Sequence, residues 1–147
     1  MLDIKFVREN AEAVRENIRK KYQEEKLPLV DEVVELDARY RAALTEANEL
    51  RASRNALSKK VGQLMGQAKK DPSKLAEAEE AKAQVKANAD RLAELEKATG
   101  EMGERIKTIM MTIPNMIDPS VPIGPDDNCN VEVQRFGEPV VPDFDIP

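Results

Sequence analysis

The chain has 147 residues, enough for one domain, with 3% aromatic residues, no tryptophan and 35% charged residues. Its single cysteine excludes an internal disulfide and a multi-cysteine metal site, and the lack of histidine removes the commonest general base. The N-terminus has no apolar run long enough for a signal peptide or membrane span, so we expect a cytoplasmic protein without membrane contact. High charge with few aromatics also occurs in disordered chains, but regularly spaced apolar residues favour long helices.

Helical spacing of apolar residues from Asp3 to about Tyr22 predicts short helices at the start of the chain. Asn10 is placed to cap the second of them. The apolar positions are Ile4, Val7, Val14 and Ile18. Residues 23–28 are charged and end at a proline, which predicts a linker.

A heptad seam begins near residue 30 and continues without a proline to about residue 68. Its members follow alternating spacings of three and four residues, which predicts one long helix with a narrow apolar face. They are Val33, Leu36, Tyr40, Ala43, Ala47, Leu50, Arg54, Leu57, Val61 and Leu64. Arg54 is the one charged member.

A turn is predicted at about residues 62–73, where Gly62, Gly66 and Pro72 interrupt the pattern, and Asp71 or Ser73 can cap the next helix. A second stripe predicts a helix over about residues 72–113. Its members are Val85, Asn88, Leu92, Leu95, Thr99, Met102, Ile106, Ile109 and Ile113. We interpret Leu75 and Ala78, which precede this stripe, as a local stutter.

Two apolar stripes joined by a short turn bury each other best as an antiparallel hairpin. We therefore predict an all-α fold in which residues 1–113 form a long two-helix coiled-coil arm with short helices at its base. Each long helix has about 38 residues and a length of roughly 55–60 Å. Prolines dominate residues 114–147, which predicts an extended connector, and residues 131–134 alternate like a short strand.

Motifs for catalysis or cofactor binding are absent from the sequence, which has no Gly-rich phosphate loop, HExxH or CxxC. The carboxylates fall at outward coiled-coil positions, and Cys129 is interpreted as an incidental thiol. We expect no catalytic residue, metal site or cofactor in this chain.

Basic residues concentrate near the turn, although the chain carries a net charge of −5. Residues 51–74 contain seven basic residues and one acidic residue, so this segment carries +6 and the remainder −11. Such lysines can simply keep an exposed hairpin in solution. Their position at the end of a long arm favours contact with a folded RNA. Because the arm has few aromatic residues for base stacking, we expect these contacts to be with phosphates and riboses.

Several segments resemble the N-terminal part of bacterial-type seryl-tRNA synthetases, over essentially the whole chain. They are MLDIKFVREN at residues 1–10, VDEVVELD at 30–37, LRASRNALSKKVG at 50–62, IPN at 113–115, PSVP at 119–122, NVEV at 130–133 and RFGEP at 135–139. The hairpin followed by this proline-rich exit is more specific than a hairpin alone. Cys129 stands where that family usually has an acidic residue, and Phe136 where it commonly has tryptophan.

The resemblance implies a parent enzyme that activates serine with ATP and Mg²⁺ and transfers it to the terminal ribose of serine tRNA. It implies a homodimer formed through a class II catalytic domain, which we expect after the connector and which this chain lacks. The arm is then expected to contact the long variable arm and elbow of the tRNA. By itself the chain is expected to be a monomer.

The resemblance and the basic run together predict a tRNA-binding surface near the turn. The expected phosphate contacts are Arg51, Arg54, Lys59, Lys60, Lys69, Lys70 and Lys74, and the expected ribose or backbone contacts are Asn55 and Ser58. Lys82 and Lys86 on the return helix could extend this surface. Arg54 has two interpretations, an RNA contact or a polar seam residue that sets helix register.

Two other functions compete with tRNA binding. One is a structural coiled-coil spacer or dimerisation module without RNA affinity. The other is a prefoldin-like chaperone arm, which would use apolar residues at its tip, and Leu64 and Met65 lie there. Neither alternative requires the proline-rich exit.

Overall fold

A computed structural model describes residues 1–69, 71–138 and 143. Its helices, in chain order, are α1 Ile4–Glu9, α2 Ala11–Lys20, α3 Leu27–Ala68 and α4 Lys74–Thr112. Short 3₁₀ turns occupy Glu24–Lys26 and Asp127–Cys129. The 42 residues of α3 give a helix of about 63 Å, packed antiparallel against α4. The predicted all-α fold, with a long two-helix arm and short helices at its base, is confirmed.

The ends of α3 differ from the sequence prediction. The helix begins at Leu27, inside the expected linker, because Pro28 is favoured in a first helical turn, where its missing N–H loses no hydrogen bond. It also continues through Gly62 and Gly66 to Ala68, whereas the sequence predicted a turn from residue 62. Each interior glycine costs about 1 kcal/mol relative to alanine. Burial of Leu64 against α4 offsets that cost.

The seam between the long helices runs without the predicted stutter. Ala78 and Ala81 are 0% and 4% exposed, and they continue the three–four spacing directly into Val85. Leu75, by contrast, lies off the seam and is 49% exposed. The stutter interpretation is therefore wrong, because small alanines rather than the larger leucine occupy the seam near the turn.

All four helices share one apolar core at the base of the arm. Its buried members are Val7, Val14, Ile18, Val30, Val33, Ile109, Met110 and Ile113. A smaller cluster of Ala47, Leu92 and Leu95 lies farther along the arm. Since two helices alone bury little apolar surface, the four-helix base contributes most of the packing energy and anchors the arm.

A buried carboxylate attaches α1 to the arm. Asp37 of α3 is only 5% exposed. Its Oδ2 accepts hydrogen bonds from Arg8 Nη1 and from Arg41 Nε, each at 2.9 Å. A buried carboxylate without such partners would strongly destabilise the fold. The two arginines therefore compensate the charge of Asp37 and make its burial possible.

Tyr22 ends α2 with a left-handed backbone, at φ 54°. Its N–H donates to the Arg19 carbonyl at 3.0 Å, and the Gln23 N–H donates to the Ile18 carbonyl at 3.2 Å. These are the two hydrogen bonds of a Schellman motif, in which glycine is the usual left-handed residue. A tyrosine there places its β-carbon close to backbone oxygen and strains the chain.

Replacing Tyr22 with glycine should raise the free energy of unfolding by about 0.5–1 kcal/mol, because glycine adopts this backbone without strain. The measurement is urea denaturation followed by circular dichroism. Lys21→Gly is the matched control, since Lys21 has φ −94° and needs no glycine. We expect the control to lose stability, and a loss in both variants would contradict strain at Tyr22.

Asn17 holds the backbone that follows α4 in place through hydrogen bonds. Its side chain is buried, its Nδ2 donates to the Asn115 carbonyl at 3.2 Å, and its Oδ1 accepts from the Ile117 N–H at 2.8 Å. The Lys21 Nζ donates to the same Asn115 carbonyl at 2.6 Å. Together these bonds fix the first residues of the connector against α2.

The short strand expected at residues 131–134 does not form. In the described part of the connector these residues have no strand assignment, and Val131 and Val133 are 65% and 93% exposed. A strand requires a neighbouring strand for its hydrogen bonds, and alternation of residues alone does not provide one. The strand prediction is therefore wrong.

Candidate nucleic-acid interface

Ion pairs across the seam define two sides of the arm. The pairs are Glu32–Arg105 at 2.6 Å, Glu46–Arg91 at 2.8 Å and Arg51–Glu96 at 2.8 Å. Glu46 immediately precedes the seam residue Ala47, whereas Arg51 immediately follows the seam residue Leu50. In heptad terms these are positions g and e, on opposite sides of the seam. We call them the g side, which carries the first two pairs, and the e side, which carries the third.

The ion pairs on the g side depend on ionised glutamates. Hydrogen bonds from the Arg105 guanidinium lower the pKa of Glu32, and those from Arg91 lower the pKa of Glu46. A carboxyl whose pKa is lower in the folded state than in the unfolded state stabilises the fold above the unfolded pKa, which is about 4.3. That stabilisation is lost as the pH falls through the lower, folded-state pKa.

We therefore expect the melting temperature to fall as the pH drops below about 4.5. A Glu32→Gln/Glu46→Gln variant should begin less stable at pH 7 and lose less on acidification, as measured by thermal unfolding at pH 3–7. Glu49→Gln is the control, because Glu49 has no cationic partner within residues 1–69 and 71–138. An unchanged acid response in the double variant would contradict this assignment.

Asp71 caps the start of α4 at the tip. Its Oδ1 accepts from the Ser73 N–H at 3.0 Å and from the Ser73 hydroxyl at 2.7 Å, and its carbonyl accepts from the Lys74 N–H at 3.1 Å. These hydrogen bonds from Ser73 lower the pKa of Asp71. Of the two predicted caps, Asp71 is the one that forms, while Ser73 makes no side-chain cap hydrogen bond.

Two predicted phosphate contacts already have carboxylate partners. Arg51 Nη2 lies 2.8 Å from Glu96, and Arg51 Nη1 donates to Asn48 at 3.0 Å. Lys74 Nζ lies 2.6 Å from Glu77, whose carboxylate raises the pKa of Lys74. An RNA phosphate would have to compete with these carboxylates.

Four other predicted contacts are exposed: Arg54, Lys59, Lys60 and Lys69. None lies within 4.0 Å of a carboxylate among the described residues. Asn55 and Ser58 are also exposed, and Lys70 lies outside the residues that the structure describes. This exposed set is available for ligand contact without breaking an ion pair.

Arg54 occupies a seam position in the sequence, but its side chain is exposed rather than buried against α4. At this level the seam is crossed instead by a hydrogen bond from Asn88 Nδ2 to Ser53 Oγ, at 3.2 Å. The described contacts give Arg54 no partner in α4 that would fix the register. Its RNA contact remains a prediction.

The predicted residues do not form a single patch. Ser58 lies seven residues after Arg51 and therefore on the e side, whereas Lys60 lies fourteen residues after Glu46 and therefore on the g side. Lys59 lies between them and points away from α4. The predicted contacts that lie within α3 are thus spread around the helix, and Lys74 lies on α4.

A hollow of about 180 Å³ lies between the two helices on the e side, lined by Ser58, Val61, Lys82 and Val85. The valines come from the seam, so its floor is apolar and its rim polar. Lys82 is exposed and lies 2.7 Å from Glu79 of the same helix.

No group of three or more His, Cys, Asp or Glu side chains among the described residues is arranged to hold a metal ion. No helix in the described ranges is long and apolar enough to cross a membrane.

Comparison with known proteins gives the family. Residues 1–117 match the family described as the seryl-tRNA synthetase N-terminal domain. The chain belongs to this family. It is 39% identical over 146 residues to a serine–tRNA ligase from Methanocella arvoryzae, and 38% identical over 144 residues to one from Thermotoga maritima. These alignments cover 99% and 98% of this chain but 33% and 32% of the relatives.

The fold of this seryl-tRNA synthetase N-terminal domain is also similar to a solved structure. Seryl-tRNA synthetase from Pyrococcus horikoshii, complexed with ATP, has a TM-score of 0.79 and 36% identity. The likeness covers 93% of this chain and 29% of that one. The chain thus spans about a third of the length of the relatives it matches.

Sequence reasoning missed two buried polar residues of this domain, Asn17 and Asp37. The partners of Asn17 lie 98 and 100 residues away in the sequence. Of the two partners of Asp37, Arg8 lies 29 residues away and Arg41 lies in the next turn of α3. A polar residue within an apolar pattern is the signal that could have identified them. Both fix the base from which the arm projects.

Proposed function

We propose that this chain is the tRNA-binding arm of a serine–tRNA ligase and that it contacts the long variable arm and elbow of serine tRNA. The observation that carries the proposal is that Arg54, Lys59 and Lys69 near the tip are exposed and have no carboxylate partner among the described residues. Elsewhere on the arm, Arg41, Arg91 and Arg105 are held in ion pairs. The family membership supports tRNA as the polyanion.

An arm of this kind recognises RNA by shape. Lysine and arginine neutralise phosphates and release counterions, while the length of the hairpin fixes which part of the RNA it reaches. The relatives' name supports attachment of serine to tRNA by the whole enzyme, and the ATP complex of the Pyrococcus horikoshii structure supports the use of ATP. The use of Mg²⁺ is part of the proposal through the family resemblance alone. We infer that the whole enzyme works in the cytoplasm as a homodimer, whereas this chain alone is monomeric.

The proposal is tested by measuring the affinity of this chain for a serine tRNA and for a tRNA with a short variable arm. A salt series should show steep weakening for the serine tRNA, by about 0.7–0.9 decades per decade of salt for each phosphate neutralised. Tighter binding of the long-armed tRNA supports the proposal. Equal binding of both RNAs would overturn recognition of the variable arm by this chain.

The chaperone-like alternative has one observation in its favour. Met65 and Leu75 near the tip are 38% and 49% exposed. Leu64, which the sequence also placed there, is buried in the seam. Two separate side chains make a small apolar surface, and the family match favours RNA. Suppression of aggregation by this chain, lost in Met65→Ser/Leu75→Ser, would support the alternative.

A further inference from the structure

Beyond the Arg51–Glu96 ion pair, the two sides of the arm differ in charge. On α4, Lys82 lies fourteen residues before Glu96 and is therefore on the e side, where Lys86 and Glu79 border it. The g side carries Lys60 from α3, opposed by Glu77 and Glu80 of α4. The e side thus has two lysines and one glutamate, whereas the g side has Lys60, two glutamates and Lys74, which is paired with Glu77.

The e side also has the groups that a ribose–phosphate backbone needs. Asn55 and Ser58 are exposed there and offer an amide and a hydroxyl to ribose or phosphate oxygens. Between Ser58 and Lys82 the hollow of about 180 Å³ has an apolar floor of Val61 and Val85. A sugar ring can pack on that floor while its phosphates meet Lys86, which has no carboxylate partner among the described residues, and Lys82, where a phosphate would replace Glu79 at 2.7 Å.

The g side at the same level is less suited to a polyanion. Glu77 holds the Lys74 ammonium at 2.6 Å, and Glu80 is exposed beside it. The hydrogen bond between Asn88 and Ser53 uses the polar groups nearest the seam. A phosphate placed against Lys60 would therefore approach the Glu80 carboxylate, which has no cationic partner among the described residues and repels it.

We propose that the RNA backbone lies against the e side of the distal arm, contacting Asn55, Ser58, Lys82 and Lys86, and that Lys60 on the g side makes no contact. This inference rests on the proposed function, since it names the surface by which the arm binds its RNA. It changes the surface expected from the sequence, because it removes Lys60 and gives Lys82 a central position.

Two serines on opposite sides of the arm allow a direct test of which side contacts the RNA. Cys129 is the one cysteine of the chain, so Cys129→Ser allows a new cysteine to be labelled alone with a photoactivated crosslinker. Ser58→Cys places the label on the e side, and Ser53→Cys places it five residues away on the g side. Illumination with serine tRNA should crosslink RNA through position 58 several-fold more than through position 53. Equal crosslinking, or more from position 53, would overturn the proposal.

Two lysines give a second test by affinity. Lys82→Gln and Lys60→Gln make the same change in charge on exposed helical positions. Lys82→Gln should weaken binding several-fold and lower the salt slope by about 1, whereas Lys60→Gln should change neither. Equal losses would overturn the choice of side while leaving RNA binding in place. No salt-dependent binding by the unmodified chain would overturn both this inference and the proposed function.

Discussion

Asp37→Ala should lower the free energy of unfolding by about 2–3 kcal/mol. The substitution removes a carboxylate whose side chain is 7% exposed and leaves the Arg8 guanidinium, 29% exposed, without its partner. Breaking a fully buried pair costs about 3–5 kcal/mol, and the partial exposure of Arg8 reduces that figure. Because Arg8 lies in α1, the loss should be largest where α1 meets the arm. Urea denaturation gives the free energy, and amide hydrogen exchange in α1 gives the location.

Asp31→Ala is the matched control for this prediction. Asp31 pairs with Arg15 of α2, so it also connects a short helix to α3, but its side chain is 67% exposed. An exposed ion pair contributes about 0–1 kcal/mol, and we expect the control to lose no more than that. If both variants lose the same stability, burial of Asp37 does not determine its contribution.

The hairpin could be predicted from the sequence because one physical effect dominates it. A seam of residues spaced by three and four leaves each long helix unstable alone, and pairing is the arrangement that buries both seams. The same effect explains the error at Gly62 and Gly66. Their cost in helix propensity is local, whereas burial of Leu64 on the same turns comes from the other helix.

The surface near the tip could be predicted only as a set of residues. Lys59 and Lys60 are neighbours in the sequence, yet successive residues of a helix point about 100° apart, so they lie on different faces. Whether Arg51 is free depends on Glu96, which lies 45 residues away and meets it only in the observed register. The sequence contains these residues but does not state the register.

The connector shows a different limit of sequence reasoning. Apolar and polar residues alternate over residues 131–134 as they do in a strand, but this alternation indicates only which side chains could share a buried face. A strand also needs a neighbouring strand, and the described residues contain none. The Asn17 bonds to Asn115 and Ile117, in contrast, could not be read from the sequence, because they join residues about 100 positions apart. Local pattern predicted the helices, and long-range hydrogen bonds decided how the connector begins.

Reversing three tip charges should produce the largest change in function. In Arg54→Glu/Lys59→Glu/Lys69→Glu we expect affinity for serine tRNA to fall roughly a hundredfold at about 0.1 M salt, with the salt slope lowered by about 2–3. These side chains are exposed and have no carboxylate partner among the described residues, so the loss reflects RNA contact rather than broken ion pairs. Helix content and melting temperature should stay close to those of the unmodified chain.

A control triple separates local contact from total charge. Lys5, Lys97 and Lys107 are exposed, lie on α1 and on the half of α4 toward the base, and lack carboxylate partners within the described ranges. Reversing them makes the same change in net charge far from the tip. We expect a reduction in affinity of a few-fold, from the weaker long-range attraction that salt screens. A hundredfold loss from the control triple would show that net charge, rather than the tip surface, governs RNA binding. Loss from the tip triple alone would place the phosphates at the end of the arm.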